Sequence, residues 1–65
     1  MKVNGKELTL NGKELNLEEL LDNLKVNKEK IVVELDGLII PKGDFFNTKL
    51  KESNIIEVIS FVGGG

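Results

Sequence analysis

The stretch Asn16-Leu17-Glu18-Glu19-Leu20-Leu21-Asp22-Asn23-Leu24 decides the fold. Leu17, Leu20, Leu21 and Leu24 stand at i, i+3, i+4 and i+7, which puts all four on one helical face. Asn16 is a good N-cap, and Glu19 sits where a capping-box acid reaches back to the cap's backbone N–H. Glu18 and Glu19 occupy the first turn, where the helix dipole favours negative charge. The spacing predicts one amphipathic helix over 17–24. A helix this short is marginal alone in water, so it must be held by packing.

On either side of the helix the signals are those of strands. Lys2-Val3-Asn4 reads as a first strand, and Asn4-Gly5 as a type I′ hairpin turn, which needs positive φ at both central positions. Glu7-Leu8-Thr9-Leu10 alternates polar and apolar like a half-buried return strand, and Asn11-Gly12 ends it. After the helix, Lys28, Glu29 and Lys30 read as a solvated loop. Ile31-Val32-Val33-Glu34-Leu35 is β-branched, Asp36-Gly37 is a second hairpin turn, and Leu38-Ile39-Ile40 returns until Pro41 stops it. Residues 42–53 have no period, although Phe45-Phe46 is expected to tuck a loop onto the core. Ile55 to Val62 is the last and longest strand. A hairpin, a helix, a second hairpin and a closing strand predict an α+β fold: a mixed four- to five-stranded sheet with one helix packed across it.

The composition narrows the function classes. With 65 residues the chain forms one small domain. It contains neither Cys nor His, which removes thiol nucleophiles, imidazole acid–base chemistry and nearly all zinc sites. An enzyme would have to work with Lys, Asp, Glu, Ser and Thr. The carboxylates Glu18, Glu19 and Asp22 have ordinary roles at a helix start, and no metal site is assigned. Nine cations, all Lys, oppose eleven carboxylates, so there is no basic face for nucleic acid. No apolar run approaches the roughly 20 residues of a membrane span, and the N-terminus lacks the apolar stretch of a secretion signal. The expected setting is the cytoplasm.

The sequence ends Phe61-Val62-Gly63-Gly64-Gly65. Glycine is poor in strands, so the sheet should release the chain near Gly63, giving a folded body over 1–62 and a mobile tail over 63–65. Three glycines pass through a channel too narrow for any Cβ and end in a carboxylate without steric cover. On composition alone such an end is equally a frayed terminus.

Leu17-Glu18-Glu19-Leu20-Leu21, Val33-Glu34-Leu35-Asp36-Gly37 with Ile40-Pro41, and Ile56-Glu57-Val58-Ile59-Ser60-Phe61-Val62-Gly63-Gly64-Gly65, in that spacing, resemble the ubiquitin-like β-grasp proteins and, more narrowly, the ThiS family of thiamine-biosynthesis sulfur carriers. The resemblance covers essentially the whole chain. It departs at Glu52-Ser53-Asn54, where the family tends to carry Asp-Gly-Asp, and at Phe45-Phe46, where a tryptophan is common.

The resemblance implies a mechanism. An adenylating partner similar to ubiquitin-activating enzymes (ThiF-like) would use ATP to convert the Gly65 carboxylate to an acyl-adenylate. A sulfur donor, such as a cysteine desulfurase, would displace AMP and leave a Gly65 thiocarboxylate. A thiazole synthase (ThiG-like) would take that sulfur. The chain would bind no cofactor and supply no catalytic side chain; Gly64, and less directly Gly63, would serve access. A molybdopterin-pathway carrier shares the fold and the di-glycine end, and a ubiquitin-like interaction domain or modifier shares the fold without sulfur chemistry.

Strand alternation points to a docking face. Ile56 and Val58 share one side of the last strand; Ile55, Glu57, Ile59 and Phe61 share the other. Glu57 should face water, which leaves Ile59 and Phe61 exposed beside the tail, and Glu34 likewise marks Val32 as outward. Ile59, Phe61, Val62 and Val32 are therefore the expected partner-binding residues. The inward set is Val3, Leu8, Leu10, Leu17, Leu20, Leu21, Leu24, Ile31, Val33, Leu35, Ile56 and Val58.

Overall fold

A computed structural model of the chain describes residues 1–61. Strands β1 (Lys2–Val3) and β2 (Lys6–Glu7) form the first hairpin, and α1 (Leu17–Leu24) follows. A second hairpin, β3 (Ile31–Leu35) and β4 (Leu38–Ile40), precedes the closing strand β5 (Ile55–Ser60). Short 3₁₀ turns lie at Lys28–Lys30 and Lys42–Asp44. The sheet order is β2-β1-β5-β3-β4, with β1 parallel to β5 and the other neighbours antiparallel. The last strand in sequence is thus the middle strand of the sheet.

Local chemistry sets the helix and both hairpins where the sequence places them. Asn16 accepts the Glu19 N–H at 2.8 Å while the Glu19 carboxylate accepts the Asn16 N–H at 2.9 Å, so the capping box is closed in both directions. Asn4-Gly5 and Asp36-Gly37 have positive φ at both positions, as two-residue type I′ turns require. The helix lies across the inner face of the sheet. Leu17, Leu21, Val33 and Ile56 are fully buried, with Val3, Leu20, Leu50 and Met1 around them. Truncating one such leucine to alanine costs about 2–5 kcal/mol in a well-packed core.

Several expectations are corrected. Leu8 and Leu24 are exposed rather than inward, because the helix and the first hairpin diverge at that end and leave a groove between them. The return strand of the first hairpin covers Lys6–Glu7, not 7–10. Leu8 N–H still donates to the Met1 carbonyl at 2.8 Å, but Leu10 N–H turns away to the Glu52 carboxylate at 2.9 Å, which also accepts the Thr9 hydroxyl. Phe45 fills the core while Phe46 stays exposed, so only one of the pair tucks the loop down. Residues 28–30 form a 3₁₀ turn capped by the Asn27 side chain. There Lys28 Nζ reaches Asp22 at 2.7 Å and Glu18 at 3.3 Å, and Glu29 pairs with Lys42. This segment straps the helix to the second hairpin. The closing strand is Ile55–Ser60, and beyond it, among the described residues, one further bond, Phe61 N–H to the Lys30 carbonyl at 3.3 Å, continues the ladder where β3 begins at Ile31.

Candidate functional site: the closing strand and its outward face

The closing strand is positioned from both sides. Toward β3 it pairs Val32 with Ile59, Glu34 with Glu57 and Leu35 with Ile56. Toward β1 it pairs Lys2 with Ile55 and Val3 with Ile56. The Asn4 N–H donates to the Ile56 carbonyl at 2.9 Å. The Asn4 side-chain oxygen then accepts the Val58 N–H at 2.8 Å, so a side chain ends the ladder where the backbone of β1 has turned away.

Alternation along β5 is regular from Ile55 to Ile59, and Ser60 is exposed as well. Ile56 is fully buried and Val58 half-buried, whereas Ile55, Glu57, Ile59 and Phe61 are exposed. Ile59 is 46% and Phe61 59% exposed, and neither phenylalanine of the 45–46 pair covers them. Val32, beside Ile59 in the ladder, is half-buried. The outward row thus brings Ile59, Phe61 and Val32 together. Val62, the fourth residue expected there, lies outside the described residues, as do Gly63, Gly64 and Gly65.

Two features of this face were not singled out in the sequence. Ile39 pairs with Glu34 and is 66% exposed, so it extends the apolar surface onto β4. The signal was available: the Asp36-Gly37 turn fixes the register, and whatever faces Glu34 shares its side. Glu34 and Glu57 also stand opposite each other, with no cation within ion-pair distance among the described residues. Like charges in direct register repel across a sheet.

Elsewhere the electrostatics are structural. The Asp22 carboxylate, bonded to the Lys28 ammonium, raises the Lys28 pKa above its ordinary value, with Glu18 adding to the effect against partial desolvation. Among the described residues no three acidic side chains come together as a metal site, and no helix is long and apolar enough to cross a membrane.

A mixed sheet ordered β2-β1-β5-β3-β4, clasping one helix and with its last strand central, defines the ubiquitin-like β-grasp class. The sequence pattern of the ThiS family matches residues 1–65. A crystal structure of the thiamine biosynthesis protein ThiS from Geobacter metallireducens superposes with a TM-score of 0.81 at 41% identity, covering 98% of this chain and 96% of that one. The sulfur carrier protein ThiS of Bacillus subtilis is 28% identical over 65 residues, spanning all of this chain and 98% of that protein. A thiazole synthase of Paramagnetospirillum magneticum is 32% identical over 63 residues, 97% of this chain but only 19% of that longer one. The chain belongs to the ThiS family, a family of sulfur carriers for thiamine biosynthesis rather than of enzymes.

Proposed function

We propose that this chain carries sulfur as a thiocarboxylate on Gly65 and delivers it for thiazole formation. The observation that carries this reading is the family match over residues 1–65, which includes the three terminal glycines. A free carboxylate is a poor electrophile, and an acyl-adenylate made from ATP gives it a good leaving group. A sulfur nucleophile then replaces AMP. The chain contains no cysteine, so the cargo sits on the terminal carboxyl. Gly64 and Gly63 admit that carboxyl to a narrow catalytic channel, since neither carries a Cβ.

The partners are an adenylating enzyme, a sulfur donor such as a cysteine desulfurase, and a thiazole synthase. The thiazole synthase is supported by a relative of that name which contains a stretch similar to this chain. Ile59, Phe61 and Val32, with Val62 beyond them, form the docking surface, and the setting is cytoplasmic. ATP is bound by the partner, not by this chain.

The test is mass analysis of the chain after incubation with a ThiF-like adenylating enzyme, ATP and a sulfide source. The expected product gains the mass difference between sulfur and oxygen on the C-terminal peptide. An unmodified acid under conditions where the enzyme is active on another carrier would overturn the reading.

A further inference from the structure

The inner side of the closing strand ends in a groove of about 690 Å³ between the helix end and the first hairpin. Leu8, Leu24, Val26 and Val58 line it, and so do Lys6 and Lys30, both exposed. Neither lysine makes an ion pair among the described residues. Leu8 and Leu24 are 38% and 39% exposed, so the groove has an open apolar wall.

Along the groove runs an unfinished strand edge. The Asp36 N–H bonds the Ile55 carbonyl and the Phe61 N–H bonds the Lys30 carbonyl, so the odd-numbered residues of β5 point their backbone groups at β3. Those of Ile56, Val58 and Ser60 therefore point toward β1. Asn4 satisfies the Ile56 carbonyl and the Val58 N–H. β1 has turned away by then, and no group among the described residues pairs with the Val58 carbonyl or the Ser60 N–H. An open edge of this kind is a template for an added strand.

We propose that this groove takes an extended acidic segment of a protein partner, which adds to β5 where β1 leaves off. Its backbone pairs with Val58 and Ser60. One apolar side chain rests against Leu24 and Val26, and carboxylates on either side meet Lys6 and Lys30. Charge selects the occupant: two ammonium groups without an ion pair among the described residues, beside an apolar wall, favour an apolar segment with acidic flanks over a basic one. The site lies on the helix side of the sheet, opposite the outward face of Ile59 and Phe61, and its occupancy does not depend on the sulfur chemistry.

The experiment is a titration of the isotope-labelled full chain with a short blocked peptide of alternating valine and glutamate, and with its valine–lysine counterpart, followed by amide shifts and hydrogen exchange. The acidic peptide at about 1 mM, where small interfaces begin to fill, is expected to shift Val58, Ser60, Leu24 and Val26 and to slow exchange at the Ser60 amide. Leu24→Glu and Lys30→Glu, both at exposed positions, are each expected to weaken the response about tenfold while the rest of the amide spectrum stays folded. Four results would each overturn the proposal: no shift at Ser60, equal binding of the lysine peptide, shifts confined to Ile39 and Ile59, or the same shifts produced by raising the concentration of the chain alone.

Discussion

The Asp36 carboxylate accepts the Asn54 side-chain amide at 2.7 Å and the Ile55 N–H at 2.8 Å, joining a hairpin turn to the start of the closing strand. Asn54 is 5% exposed, and its own oxygen accepts the Lys51 N–H at 2.6 Å. A turn residue in the left-handed region (φ 51°) thereby fixes where β5 begins.

Asp36→Ala is expected to destabilise the chain by about 2–3 kcal/mol, because it leaves a buried amide without an acceptor and puts alanine at positive φ. Asp36→Asn tolerates the backbone and keeps one acceptor, so it should cost about 1 kcal/mol. Urea unfolding midpoints of the two variants check this; equal losses would show that the turn conformation, not the bond to Asn54, matters.

Lys28 links the first and second turns of α1 to the strap that follows it. Its pKa is raised by Asp22, so the contribution of the ion pair is fully present below the ordinary lysine value of 10.5 and is lost as pH rises through the folded-state value above it. Lys28→Met should therefore be less stable than the parent at neutral pH by an amount that salt reduces, and the difference should begin to shrink above about pH 10.5 and vanish once pH passes the raised folded-state value. Paired denaturation curves across that range give the answer, and a gap that persists at high pH would assign the role to packing of the Lys28 stem.

Glu57→Lys is expected to raise stability by about 0.2–1 kcal/mol, since it replaces a repulsive pair with Glu34 by an attractive one in register. Thermal melts in low and high salt should show the gain shrinking as ions screen it. If the outward face docks against a basic partner surface, the same variant binds that partner more weakly although it folds better.

Phe61→Asp leaves the fold intact, because the side chain is 59% exposed and follows the last residue of the strand. It should lower the rate of adenylation by the cognate enzyme at least tenfold, the range expected for an aromatic anchor. An unchanged rate with a native-like spectrum would remove Phe61 from the docking surface.

Where pairing is local, the residues announce it. The helix over 17–24, the Asp36-Gly37 hairpin and the alternation of β5 all follow from neighbours a few positions apart, and all three stand as the pattern implies. The pentapeptide Asn-Gly-Lys-Glu-Leu shows the limit. It occurs at 4–8 and again at 11–15, and both copies open with two positive-φ residues. The first closes a hairpin because β1 precedes it on the sheet; the second hands Leu15 on to Leu50, whose N–H bonds its carbonyl at 2.9 Å. Identical local preference thus gives different structures under different distant partners. Glu52 and Asn54 give no local signal for the same reason, since the groups they hold, Leu10 and Asp36, lie far away in the chain. Phe45 and Phe46 are chemically equivalent, and only the 3₁₀ turn before them decides which is buried. On the outward face, Ile59, Phe61 and Val32 are legible from a single alternation rule, whereas the edge at Ser60, open among the described residues, depends on where β1 stops, which no stretch of β5 encodes.

Because β1 and β5 run side by side in the same direction, a pull on the C-terminal end against a held N-terminal end loads their shared bonds, and those to β3, lengthwise and all at once. No bond sits at a peeling front to break first. Under the proposed function, a catalyst that drew the terminal glycines inward would meet a body that stays whole at its entrance, a mechanical stop that would set how deep the chain could be threaded.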